Sequence, residues 1–193
     1  MKTKKQQVAD FIKSNMDWAR FAKLTQALGD QANNAQFRFL KATIFERSIE
    51  KYSNGKIKYL GEEGCDHIIP ELDVRIEMKY TEGALYTPSK KLLRESTGGI
   101  KLMNSMGTNT HKVLPSTYAD FLLFVGNQGA MLFDRATVAA HIKPGGDGIT
   151  ANIPTKQGII LATPKEMDAK GQSKIDFINP FDSMIESYIS NIK

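Results

Sequence analysis

The hydrophobic pattern of this 193-residue chain changes period near residue 55, and that change limits the fold more than any other feature. Between residues 5 and 28, Val8, Ile12, Met16 and Ala19 recur at helical spacing, with Phe11, Trp18, Phe21 and Leu24 alongside. Gly29-Asp30 ends that run, and Asn33-Asn34 offers N-caps for the next. A second amphipathic helix is expected over 35–53, with Phe37, Leu40, Ile44, Phe45, Ile49 and Tyr52 inward and Asn54-Gly55 as its stop. Lys56–Leu60 then has the composition of a short strand. From Glu71 to Tyr80 the period is two: Leu72, Val74, Ile76 and Met78 fall on one face, and Asp73, Arg75, Glu77 and Lys79 on the other.

Further along, Tyr118–Val125 predicts a buried strand, Gly126–Gly129 a turn, and Ala130–Phe133 its partner strand. Asp134 can cap a short helix over Arg135–His141. Pro144–Gly148 predicts a loop between extended segments, and Gly158–Ala162 another strand. Residues 163–176 suggest loop, and Asn179-Pro180 opens a last helix. Residues 81–117 are polar with little periodicity apart from a short helix near Ser89–Glu95. A loop of that length is usually functional or disordered. The expectation is one α/β (α+β) domain, a central mixed sheet flanked by helices, with a helical part over 1–54 and the rest of the core over 55–193.

An apolar fraction of 41% and a charged fraction of 24% are ordinary globular usage and argue against disorder or a fibre. The one cysteine, Cys65, excludes an intrachain disulfide and a Cys-based zinc cluster. The longest clean apolar run, Phe121–Val125, is far below the roughly 20 residues that span a bilayer. Met1–Gln7 lacks the apolar stretch of a signal peptide. A cytoplasmic protein with no membrane partner is expected.

Charge is distributed unevenly. Residues 1–60 carry twelve basic and five acidic side chains, residues 61–80 two and six, and residues 81–116 five and two. A dense acidic stretch therefore lies between two basic ones. Basic flanks attract polyanions, nucleic acid above all, although a solvated basic face has the same composition. Carboxylates repel phosphate unless a cation stands between them.

Several chemical signatures are absent. Gly55-Lys56 is followed by Ile57, so there is no Walker A loop, and Gly145–Gly148 lacks the third glycine of a dinucleotide fingerprint. No HExxH occurs, and the spacing of Cys65 and His67 gives no reason to pair them as a nucleophile and base. What remains is the segment from Gly61 to Lys79. On an extended chain Glu77 and Lys79 point to one side, and a second carboxylate arrives from Asp66 or Asp73. Two carboxylates make a hard-oxygen site suited to Mg²⁺. A Glu-x-Lys on a strand is common and by itself needs no function; the acidic density and the basic flanks give it weight here.

Asp66, ten residues, then Glu77-Met-Lys79 resembles the PD-(D/E)xK nuclease superfamily. With Glu63-Gly-Cys-Asp66 before it, the pattern is similar to small homodimeric type II restriction endonucleases. The resemblance implies a restriction-endonuclease-like core, with Asp66 and Glu77 as metal ligands and Lys79 assisting the attacking water. Glu46 is the candidate for an acid on the preceding helix, and Asp73 the alternate first acid. Cys65 stands where the superfamily name has proline. Pro70 suggests a bend that returns Asp66 beside Glu77. The implied cofactor is Mg²⁺, for which Mn²⁺ can substitute.

The implied partner is double-stranded DNA. Lys90, Lys91, Arg94 and Lys101 would supply charge, and Asn104, Ser105, Asn109, His111 and Lys112 hydrogen bonds to base edges. A reader of palindromes would be a twofold homodimer, with the apolar N-terminal helices as its expected surface. Cleavage would be sequence-specific and leave 5′-phosphate and 3′-hydroxyl ends. The alternatives are a structure-specific nuclease, such as a junction resolvase or repair nickase, and a non-catalytic DNA-binding protein.

Overall fold

The computed structural model describes residues 1–29, 35–62, 65–81, 100–103, 119–126, 129–145, 148–153, 157–163 and 165–167. Helix α1 (Lys4–Asn15) starts at Thr3, whose hydroxyl accepts the Gln6 N–H at 3.2 Å. It stops at Met16, where the backbone turns extended. Helix α2 (Trp18–Gly29) starts afresh at Asp17, whose carboxylate accepts the Arg20 N–H at 3.1 Å. The single helix expected over 5–28 is therefore two. The apolar spacing runs through the break. A capping aspartate whose own N–H donates to the Tyr52 carbonyl at 2.9 Å overrides it.

Helix α3 (Ala35–Tyr52) ends in a Schellman motif, with Asn54 left-handed at φ 50°. The Asn54 N–H donates to Lys51 O at 3.1 Å and the Gly55 N–H to Glu50 O at 2.8 Å, which satisfies two terminal carbonyls.

The strands are β1 (Lys58–Glu62), β2 (Cys65–Ile69), β3 (Val74–Thr81), β4 (Ile100–Met103), β5 (Phe121–Gly126) and β6 (Gly129–Asp134). Helix α4 (Arg135–His141) follows, then β7 (Ile142–Gly145), β8 (Gly148–Ile153) and β9 (Ile159–Ala162). Six strands form one mixed sheet in the order β1-β2-β3-β5-β6-β9, antiparallel except for the parallel pair β3–β5. A smaller antiparallel sheet has the order β4-β8-β7. The polar 81–117 segment, expected to be loop, thus contributes a strand. The pairing of β4 with β8 supplies what its side-chain pattern does not advertise.

Helices α1 to α3 cover one face of the large sheet. Val8, Ile12, Phe21, Phe45 and Ile49 pack with Val74, Ile76, Met78, Leu123 and Leu132 in one buried cluster. Of the apolar residues of the helical part, expected at a dimer surface, Val8, Ile12, Trp18, Phe21, Leu24, Ile44, Phe45 and Ile49 lie in this core. A twofold contact there would have to use other side chains. The opposite face carries Leu122, Phe124, Met131 and Phe133, also buried, with Phe124 and Phe133 edge to face at 5.5 Å. No helix among the described residues is long and apolar enough to cross a membrane.

Candidate metal-dependent active site

Strands β2 and β3 form the hairpin that builds the site. Pro70 opens a single 3-10 turn over Pro70–Leu72, and Asp73 reverses the chain with a left-handed φ of 47°. Strand β3 therefore begins at Val74 and not at Glu71. Pairing runs Ile69↔Val74, Ile68↔Arg75 and His67↔Ile76, and one further step in that register sets Asp66 opposite Glu77. At that step the backbone ladder gives way: the Met78 N–H donates to Asp66 Oδ2 at 2.6 Å. A side-chain carboxylate thus satisfies the strand donor in place of a carbonyl. Backbone pairing of β2 with β3 runs no further than His67↔Ile76.

Glu77 lies on the sheet face away from the helices, beside Leu122 in the parallel register, with Lys79 two residues on beside Phe124. Lys79 Nζ pairs with Glu77 Oε1. Glu77 is only 7% exposed, and its other oxygen, Oε2, is buried without a hydrogen-bond partner. Burial pushes the Glu77 carboxyl up; Lys79 pulls against it and the charge of Asp66 adds to it. The Asp66 carboxyl is also pushed up by burial, against the Met78 N–H, the charge of Lys79 and a side-chain hydrogen bond with Glu77. From α3, Glu46 is raised to about 7 by burial and by Asp66, with Lys79 opposing and Glu77 adding. Glu46 is thus close enough to feel the charges of Asp66, Lys79 and Glu77.

No protein-family model and no curated protein matches the chain.

His67 fastens the acids to the helix. Its Nε2 meets the Glu46 carbonyl oxygen at 2.7 Å. A carbonyl can only accept, so Nε2 carries the proton, and the buried Nδ1 has no partner. Burial lowers its pKa to about 4, so at neutral pH it is an uncharged pin. Cys65 is equally structural: its thiol donates to His67 O at 3.3 Å, and burial pushes it up, away from the nucleophilic thiolate.

Asp73, the alternate first acid, does not share the β3 face with Glu77. It is exposed at the turn, roughly 13 Å along the strand at about 3.3 Å per residue. Among the described residues no three His, Cys, Asp or Glu side chains stand grouped as a ready ligand set. The site's oxygens are in part occupied, Asp66 Oδ2 by Met78 and Glu77 Oε1 by Lys79. The unpartnered Oε2 and the all-oxygen donor chemistry nevertheless fit a hard divalent ion.

Of the expected DNA-contacting residues, Lys90, Lys91, Arg94, Asn104, Ser105, Asn109, His111 and Lys112 lie outside the described residues. Lys101 falls on β4, opposite Asn152 of β8. Two residues beside the acids were not foreseen. Tyr59 of β1 lies opposite His67, ring to ring at 5.9 Å, and the Arg47 guanidinium stands 5.0 Å over the Tyr59 ring. The signal available in the sequence was the position of Arg47 directly after Glu46.

Proposed function

We propose that the chain is a Mg²⁺-dependent, sequence-specific endonuclease of double-stranded DNA, in the class of type II restriction enzymes. One observation carries the reading. Asp66 and Glu77 meet where the β2–β3 pairing ends, with Lys79 on Glu77 and one Glu77 oxygen buried without a partner. An unpaired buried carboxylate oxygen costs stability, and a ligand that it binds is a reason to keep it.

Asp66 and Glu77 would hold the ion, with Glu46 the nearest further acid. A bound divalent ion would polarise a phosphoryl oxygen and lower the pKa of a water. Lys79, half-exposed on a rigid strand, would orient the attacking water or stabilise charge growing on phosphorus. The buried walls around Glu77 keep that charge in a low dielectric, where it counts for more. Reading a palindrome would require a twofold dimer and groove contacts outside this cluster.

The test is cleavage of mixed-sequence duplex DNA in Mg²⁺, followed by sequencing of the ends. Wild type is expected to give fixed ends, with Glu77→Ala and Lys79→Ala each reduced at least about 100-fold. Undiminished cleavage by both variants would sink the site. Cuts at branches without a fixed sequence would replace the restriction reading with a structure-specific nuclease.

A further inference from the structure

Arg47 follows Glu46 on α3, and among the described residues it pairs with no carboxylate. Its guanidinium is held over the Tyr59 ring at 5.0 Å. Tyr59 is in turn fixed from two sides. The His67 ring meets it edge to face, and the left-handed Gly61 leaves room for it. A Cβ at Gly61 would stand 2.5 Å from Tyr59 Oη and 2.7 Å from Cζ. The phenol is also close enough to Glu46 and Asp66 to feel both charges. The result is a planar cation that hydrogen-bonds the Tyr59 phenol, lies over its ring and pairs with no carboxylate among the described residues.

We propose that Arg47, seated on Tyr59, binds a backbone phosphate of the nucleic-acid substrate next to the scissile one. The inference rests on the nuclease reading and deepens it: it names a phosphodiester contact from outside the acid–lysine set. Stacking orients the guanidinium fork in advance, which suits bidentate phosphate binding and which lysine does not reproduce. The acids alone would repel the strand, and a cation at their edge offsets that. Gly61 and Tyr59 are positioning residues and Arg47 the contact.

Three variants test this: Arg47→Ala, Arg47→Lys and Tyr59→Leu. Lys13→Ala serves as the control, removing one exposed charge from α1, which packs against β6 and β9. Binding of duplex DNA is measured in Ca²⁺ over a salt series, and cleavage in Mg²⁺ as KM and kcat separately. Arg47→Ala is expected to shallow the log–log salt slope by about 0.9. It should raise KM about tenfold and change kcat by less than about threefold. Arg47→Lys should keep the slope but lose part of the affinity, and Tyr59→Leu should follow Arg47→Ala in part. Equal loss in Arg47→Ala and Lys13→Ala would reduce the effect to bulk charge and overturn the proposal. So would an unchanged slope, or a loss matched by a fall in melting temperature. If wild type binds duplex but never cuts, the nuclease reading fails while the slope still decides Arg47. If it does not bind, both fall. If only the Arg47 effects are missing, the Glu77 and Lys79 results stand untouched.

Discussion

At the scale of single residues, Glu77 states the economy of the site. Its carboxyl is buried against Leu122, faces the charge of Asp66, and leaves Oε2 without a partner, with Lys79 as partial relief. A carboxyl raised in the folded state makes its ionised form destabilising at neutral pH, because the unfolded chain ionises more readily. Glu77→Gln keeps the shape and removes the charge. The variant is expected to melt at the same temperature as wild type or above it, while cleavage falls at least about 100-fold. Mg²⁺ should separate the two further. At roughly ten times Kd, linkage would stabilise wild type by about 1.4 kcal/mol, or about 3–6 °C, and leave Glu77→Gln unmoved. Thermal melts with and without Mg²⁺ check both halves, and an equal Mg²⁺ shift in both proteins would remove Glu77 from the ion's ligands.

At the scale of elements, caps decide where the chain departs from its own periodicity. Asp134 ends β6 and caps α4: it accepts the Thr137 N–H and hydroxyl at 2.7 Å each and pairs with Lys5 of α1 at 3.0 Å. Burial opposes its ionisation, but the bonds from Thr137 and Lys5 win and hold the carboxyl down at about 2. A pKa below the unfolded value of roughly 3.9 means stability present above that pH and lost as pH falls through the folded one. Asp134→Ala should therefore cost about 1–2 kcal/mol near neutrality, with the gap to wild type closing between about pH 4 and pH 2. Urea unfolding at several pH values measures it; a gap that stays constant with pH would exclude the carboxylate as its source.

The same elements show what was legible beforehand. The β5–β6 hairpin and the α4 cap stand in the sequence because apolar runs, a glycine turn and an aspartate specify them locally. Asp66 reaching Glu77 was legible through Pro70, which bends the chain between them. The break at Asp17 was not, because Met16 and Ala19 continue the helical spacing, and it takes the Asp17 cap with its contact to Tyr52 to end it. Strand β4 was hidden because its partner β8 lies far along the chain, whereas extended segments around Pro144–Gly148 were expected and pair locally as β7 and β8. Asp73 was misplaced because alternation shows a residue's parity but not its φ.

At the scale of the whole molecule, the charge pattern makes a demand that the site geometry sharpens. The chain carries a net charge of +5, yet the acids of the 61–80 stretch include the pair that meets where the β2–β3 pairing ends. A phosphate brought there without a cation faces two carboxylates. At a separation near 6 Å and an effective dielectric between about 20 and 80, each repulsion costs roughly 0.7–2.8 kcal/mol. The double variant Asp66→Asn with Glu77→Gln should thus bind duplex DNA about 10- to 10,000-fold more tightly than wild type in EDTA. Adding Ca²⁺ should tighten wild type strongly and the variant hardly at all, because only wild type has the charge that an ion neutralises. Fluorescence anisotropy with one labelled duplex at fixed ionic strength reads all four constants, with salt matched because counterion release would otherwise dominate. A basic domain that merely adheres to nucleic acid predicts no such crossing: there, Ca²⁺ would weaken both proteins alike by screening, and removing two distant acids would help both conditions equally.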